Sequence, residues 1–175
     1  IAAESGADGV RLSHPGRPEL SFDPGTQGAA LIDWIAPLWP ADRPAPVRLV
    51  RAPGHGMTDM PDPFVSVGNL ASLRALSQRA GRPLDLRRFR INLWVEGWAP
   101  WEEQDRVGAT VTIGAVTLHV AEPIGRCRAT EADPESGRRD VNTLRLLEQA
   151  TGTQDFGVYA RVAAPGPVRL GDAVT

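Results

Sequence analysis

The chain has 175 residues, 42% of them hydrophobic, with a formal net charge of −2. That is enough to build one good core, and the near-neutral balance gives no positive field for nucleic acid or an anionic membrane. One cysteine excludes an internal disulfide, a thiolate-held iron–sulfur cluster and a cysteine zinc knot.

All 19 basic residues are arginine. With no lysine amine, pyridoxal phosphate cannot be held as a Schiff base, whereas arginine forks suit phosphate and carboxylate. No apolar run reaches membrane-spanning length and no signal-peptide pattern opens the chain, so a cytoplasmic protein is expected. The opening on Ile1, in mid-phrase, reads as a segment missing upstream.

Taken in order, Val10–Leu12 and Leu20–Phe22 flank the turn formers His14 to Pro18 and predict a hairpin over 9–23. Leu31, Ile32, Trp34, Ile35 and Leu38 fall at helical spacing, stopped by Pro37 and Pro40. Residues 1–46 thus form a front subdomain, hairpin plus helix, with the Pro-rich stretch 40–46 as a linker to a second domain over 47–175. Val47–Val50 and Phe64–Val67 read as strands around an irregular Pro53–Met57. Asn69 stands where a helix N-cap is wanted, ahead of Leu70, Leu73, Leu76 and Ala80 on one face, with Gly81 at the exit.

Phe89 to Val95 alternates like a strand, with Arg87 and Arg88 facing solvent. Ala109–Ile113 and Val116–Val120 form a hairpin about Gly114 and Ala115, a short helix carries Leu144, Leu147 and Ala150 inward, and Phe156–Val162 and Val168–Leu170 close the chain as strands. Short strands with few helices and frequent Gly and Pro predict a mainly β fold, a β-barrel with peripheral α-helices.

Cys127, between Arg126 and Arg128, is the leading chemical candidate, because adjacent cations favour a thiolate over a thiol. Its bland alternative is a small buried hydrophobe. His55 between Gly54 and Gly56 reads as a loop with a lesser claim to function, and His14 and His119 as structural or exposed. Glu102, Glu103 and Asp105 read as a charged loop rather than a glycosidase pair. The five tryptophans read as packing residues, with Trp98 and Trp101 able to wall a pocket.

Seven short signals fall in one order: Arg88-Phe89-Arg90-x-Asn92-Leu93; Trp101-Glu102; Val107-Gly108 with Ile113-Gly114; Arg126-Cys127-x-x-Thr130; Asp133-Pro134-x-Ser136-Gly137; Phe156-Gly157-x-Tyr159; and Gly171-Asp172. Together they resemble the MOSC domain, the C-terminal module of molybdenum cofactor sulfurases and the core of the amidoxime-reducing component and related bacterial proteins. The resemblance covers roughly 47–175. It implies a MOSC-like barrel that binds a molybdenum pyranopterin cofactor, with Cys127 as the protein ligand to molybdenum and Arg90 and Asn92 on the pterin and its phosphate. Asn69, Ser72, Arg126 and Tyr159 match further cofactor-binding positions, with the Asn69 helix N-terminus facing the phosphate.

On that footing the chain is an oxidoreductase resembling reductases of N-hydroxylated compounds, acting on a small-molecule substrate with electrons from a separate donor protein. The alternative is a sulfur or cofactor carrier with a persulfide on Cys127 and no turnover; a third reading is a ligand-binding module that no longer takes molybdenum. Neither a nucleic acid nor a membrane is expected as partner.

Overall fold

The structure, a computed structural model, describes residues 1–52 and 60–175, so His55 and the irregular Pro53–Met57 stretch lie outside the described residues. The chain divides into two units, Ile1–Asp59 and Met60–Thr175.

The first unit is an antiparallel meander of β1 (Ala2–Gly6), β2 (Gly9–His14) and β3 (Arg17–Phe22), followed by α1 (Gly28–Ile35) and a 3-10 turn, Ala36–Leu38. The expected hairpin is present, with β1 as a third strand beside it. Leu12, Phe22 and Trp34 bury together as its small core, and Trp34 Nε1 donates to the Pro18 carbonyl at 2.6 Å. Trp39 is the tryptophan that does not pack inside; it stays exposed and donates Nε1 to the Pro44 carbonyl. Val47–Val50 is not a strand. Val47 and Val50 are exposed and join no ladder among the described residues, and an extended segment without a paired strand cannot satisfy its backbone as a sheet does.

In the second unit, β4 (Val65–Asn69) leads straight into α2 (Leu70–Arg79), then a 3-10 turn Leu86–Phe89, β5 (Leu93–Val95) and α3 (Glu102–Asp105). Next come β6 (Thr110–Ile113), β7 (Val116–Gly125), a 3-10 turn Arg128–Glu131, α4 (Thr143–Thr151) and β8 (Asp155–Ala164). The five strands hydrogen-bond in the order β5-β4-β8-β7-β6, with β4 and β5 parallel and the other pairs antiparallel. The parallel pair requires a crossover, which α2 supplies. Register shifts along β7 at Thr117/Leu118, Val120/Glu122 and Pro123/Gly125 bend the long β7–β8 pair, curling the sheet into a half-barrel.

Alternation places Val111, Ile113, Val116, Leu118 and Val120 on one face with Val67, Val95, Trp98, Val158 and Ala160. A second cluster, Leu73, Leu76, Leu84, Phe89, Leu147 and Phe156, fills the space under α2 and α4. The fold is therefore strand-dominated with helices at its margins, as the pattern of short strands implied.

Two segments of the second unit differ from expectation. The strand expected over Phe89–Val95 begins only at Leu93, and Phe89 ends a 3-10 turn instead: the Asp85 carboxylate accepts from Arg87 N–H at 2.8 Å, a local bond that draws the backbone into that turn. Val168–Leu170 is irregular, with Leu170 fully exposed. The last residues reach the β6 edge in its place, with Val174 bridging Ile113 and Thr175 exchanging hydrogen bonds with Thr112.

Candidate functional site

Arg90 and Asn92 lie in the irregular stretch between the Leu86–Phe89 turn and β5. Arg90 adopts φ 50 and ψ 41, the left-handed region, which costs a residue with a Cβ on the order of 1 kcal/mol. It is exposed, and its guanidinium has no carboxylate partner among the described residues. Its neighbours, by contrast, are pinned. A Cβ built on Gly68 would lie 2.6 Å from Ile91 Cδ1, and one on Gly157 3.0 Å from the same atom, so the isoleucine occupies a notch that two glycines leave open.

Asn92 is stapled to β4. Its Oδ1 accepts from Ser66 N–H at 3.0 Å and Ser66 Oγ at 2.8 Å, and its own N–H donates to Ser66 Oγ at 2.9 Å. Its Nδ2 has no partner among the described residues. The strand expected to carry Arg90 and Asn92 is shorter, since β5 begins only at Leu93 and both residues precede it. Ser66 pairs across the ladder with Tyr159, which is half-buried with its ring stacked on Phe64 at 5.3 Å.

Arg126 joins this turn to the cysteine. Its Nε donates to the Phe156 carbonyl at 2.8 Å, Nη2 donates to the same oxygen, and Nη1 donates to the Phe89 carbonyl at 2.9 Å. The residue after it, Cys127, is exposed and in extended conformation at the head of the Arg128–Glu131 turn. The cysteine main chain is held: its carbonyl accepts from Thr130 N–H at 3.2 Å and Thr130 Oγ1 at 3.0 Å, and that hydroxyl lies 2.6 Å from Thr143 Oγ1 at the start of α4. Its sulfur does not cap the turn. The two flanking arginines hold structure: Arg126 grips carbonyls, and Arg128 Nε donates to Glu131 at 3.0 Å.

Asn69 and Ser72 are both fully buried. Asn69 caps α2 as expected, its Oδ1 accepting from Ala71 N–H at 2.9 Å, while Nδ2 donates to the Ala99 carbonyl at 2.7 Å and to Glu103 Oε2 at 3.0 Å. Ser72 Oγ donates to the same carboxylate oxygen at 2.8 Å and accepts from Trp101 N–H. Glu103, read from sequence as part of a charged loop, is the fully buried member of α3. Burial pushes its carboxyl above the ordinary range against the pull of these hydrogen bonds, and Oε1 has no hydrogen-bond partner among the described residues. Nothing in Glu102-Glu103 marks which of the two turns inward; Glu102 instead pairs with Arg106 at the surface.

Arg88 also departs from expectation. It is buried and ion-paired with Asp140 at 2.8 Å, because the 3-10 turn rotates it inward. Trp98 joins the sheet core under the Arg106 guanidinium, and Trp101 packs edge-on to Phe156.

Among the described residues, Cys127, Arg90 and Asn92 offer a soft sulfur, a guanidinium without a carboxylate partner and a carboxamide N–H without a partner, donor types that suit an anionic group and a metal with soft-ligand affinity. Among the described residues no three His, Cys, Asp or Glu side chains gather into a metal cage.

Several known proteins are similar to this chain. The mitochondrial amidoxime-reducing component 1 of Xenopus laevis is 30% identical over 115 residues, covering 59% of this chain and 33% of that protein. Its Mus musculus counterpart is 29% identical over 124 residues, 64% of this chain and 36% of the relative. A molybdenum cofactor sulfurase of Drosophila willistoni is 32% identical over 94 residues, 52% of this chain and 11% of its own length. The chain thus spans about a third or less of the curated relatives it matches. The crystal structure of YiiM from Geobacillus stearothermophilus aligns with a TM-score of 0.48 at 20% identity, over 63% of this chain and 52% of that one. No described helix is long and apolar enough to cross a membrane. The MOSC domain profile matches residues 55–175, more than half of the sequence, and the chain belongs to the MOSC domain family.

Proposed function

We propose that the chain is a cytoplasmic oxidoreductase that binds a molybdenum pyranopterin cofactor, with the Cys127 thiolate as the protein ligand to the metal, and that it reduces small N-hydroxylated compounds with electrons from a separate donor protein. The observation that carries this reading is Arg90: a cation with no carboxylate partner among the described residues, in a costly backbone conformation beside pinned neighbours, and tied through Arg126 to the segment that bears an exposed thiol. Strain of this kind needs a return, and an anionic ligand supplies one. The names of the relatives point to the same cofactor and the same class of substrate.

In this reading the Arg90 guanidinium pairs with the cofactor phosphate, and Asn92 Nδ2 donates to an acceptor on the pterin edge. Arg126 keeps Phe89 and Phe156 in place and so orients both from behind. When bound, the group supplies a two-electron redox centre; net reduction of an N–O bond takes two electrons and two protons and releases water. Asn69 and Ser72, engaged by Glu103, serve from inside by fixing the α2 terminus.

The test is the molybdenum content of the full chain purified from a host able to make the cofactor. Metal near one per chain is expected for the wild type, with at least a tenfold loss in Cys127→Ser and Arg90→Gln. A Cys127→Ser protein with full occupancy and undiminished hydroxylamine reduction ends the reading. An exposed sulfur unengaged by its own turn also suits a persulfide carrier. A gain of one sulfur atom on Cys127 after incubation with a sulfur donor, without any reductase activity, marks that alternative.

A further inference from the structure

Arg88 has a side chain 1% exposed, though it lies two residues before the exposed Arg90. Its Nη1 sits 2.8 Å from Asp140 Oδ1 and donates to the Glu131 carbonyl at 3.2 Å; Nη2 donates to Asp140 Oδ2 at 2.9 Å and lies 3.5 Å from Asp133 Oδ2. All of these acceptors belong to the stretch that leaves Cys127. Glu131 closes the 3-10 turn that the cysteine opens, and Asp133 and Asp140 flank the bridge between Ala132 and Arg139. One guanidinium therefore spans the turn that presents Arg90 and the turn that presents Cys127.

A buried ion pair adds little net stability, since desolvation offsets its attraction, but it does fix geometry. Asp140 would not be orphaned by loss of Arg88, because Arg82 reaches the same carboxylate at 2.8 Å from the surface. We infer that Arg88 is a positioning residue, which sets the placement of the Cys127 turn against the Arg90 turn and so the spacing at which a cofactor's metal and phosphate are met together. The second half of this inference rests on the function proposed above.

The two parts are separated by measuring the metal-free full chain as well as the loaded one. Cys127 is the single thiol, so its alkylation by iodoacetamide reports on its turn alone. Arg88→Met should alkylate at least threefold faster than wild type in the absence of denaturant, and should carry at least fivefold less molybdenum when expressed in a competent host. Arg88→Lys, able to reach Asp140 but not Glu131 as well, should fall between the two. Arg82→Met, which leaves the buried pair intact, should match wild type in both readouts.

A folded Arg88→Met protein with wild-type alkylation and molybdenum loading overturns the inference. So does a rate that rises only as far as the loss of urea stability accounts for, which is the signature of a purely structural residue. Should Arg88→Met fail to fold, Asp140→Asn takes its place with the same expected direction, and a wild-type rate there overturns the inference equally. If the wild-type chain takes up no molybdenum, the cofactor reading fails, and the alkylation rates still decide whether Arg88 positions the cysteine turn.

Discussion

Arg126 donates Nη1 to the Phe89 carbonyl at 2.9 Å, and through that one bond the residue before Cys127 is joined to the residue before Arg90. The two candidate ligands are 37 positions apart in the chain and one hydrogen bond apart in the anchoring of their turns. Replacing Arg126 by methionine leaves the Phe89 and Phe156 carbonyls without their charged donor, and charge-assisted bonds of this kind contribute about 1.5–3 kcal/mol each. Arg126→Met should lose about 2–3 kcal/mol in urea unfolding, and unchanged stability would show that the clamp is ornamental.

The glycine notch gives a sharper comparison. Gly157 has φ +75, and a Cβ there would meet the Val67 carbonyl oxygen at 2.8 Å and Ile91 Cδ1 at 3.0 Å; Gly137 has φ +68 with nothing near. Alanine at Gly137 therefore costs backbone strain alone, about 1 kcal/mol, whereas alanine at Gly157 adds a clash against backbone and should cost about 3 kcal/mol. Equal destabilisation of the two variants would remove the notch as a device for seating Ile91.

Ser66 is the anchor of Asn92. Ser66→Ala removes a donor to Oδ1 and the acceptor of the Asn92 N–H while leaving the Ser66 N–H bond in place. A loss of about 1–2 kcal/mol is expected, together with faster amide exchange at Asn92. Wild-type exchange at that amide would mean that the turn holds itself without the hydroxyl.

Glu103 sets a dependence on pH with a definite sign. Its folded-state carboxyl is raised above the ordinary 4.5, mainly by burial, so the folded state binds the proton more tightly than the unfolded chain does. Its contribution is complete below about 4.5 and is lost as pH climbs through the raised folded value, with a slope of up to about 1.4 kcal/mol per pH unit. Glu103→Gln lacks this titration. The stability of wild type relative to Glu103→Gln should therefore decline as pH rises from 4.5 toward neutrality, and a flat difference across that interval contradicts the assignment.

Where short-range chemistry decided the structure, the sequence was readable. Asn69 before an apolar helical face is an N-cap in the structure, and the alternation around Gly114 is a hairpin. Arg88 and Glu103 were not legible, because charged residues are read outward by default and only a tertiary partner, Asp140 for one and the Asn69–Ser72 pair for the other, turns them in. The Arg90 turn was hidden for a related reason. Its residues alternate like a strand, and beside the left-handed φ at Arg90 stands an isoleucine seated between glycines from two strands that are distant in sequence. The cysteine was visible as chemistry, yet the work of its neighbouring arginine, gripping carbonyls from β8 and from the 3-10 turn, could not be read locally.

The place of β4 between β5 and β8 has a consequence for how the molecule comes into being. Val67 meets Val158, about ninety residues downstream, so the central ladder of the sheet closes only across a long loop, and such pairings are slow to form. On the ribosome the β4 edge that meets β8 must wait unpaired while nearly the whole unit is synthesised, although its other edge can pair with β5 once Leu93–Val95 has emerged. An edge left open for that interval is a template for association with other chains.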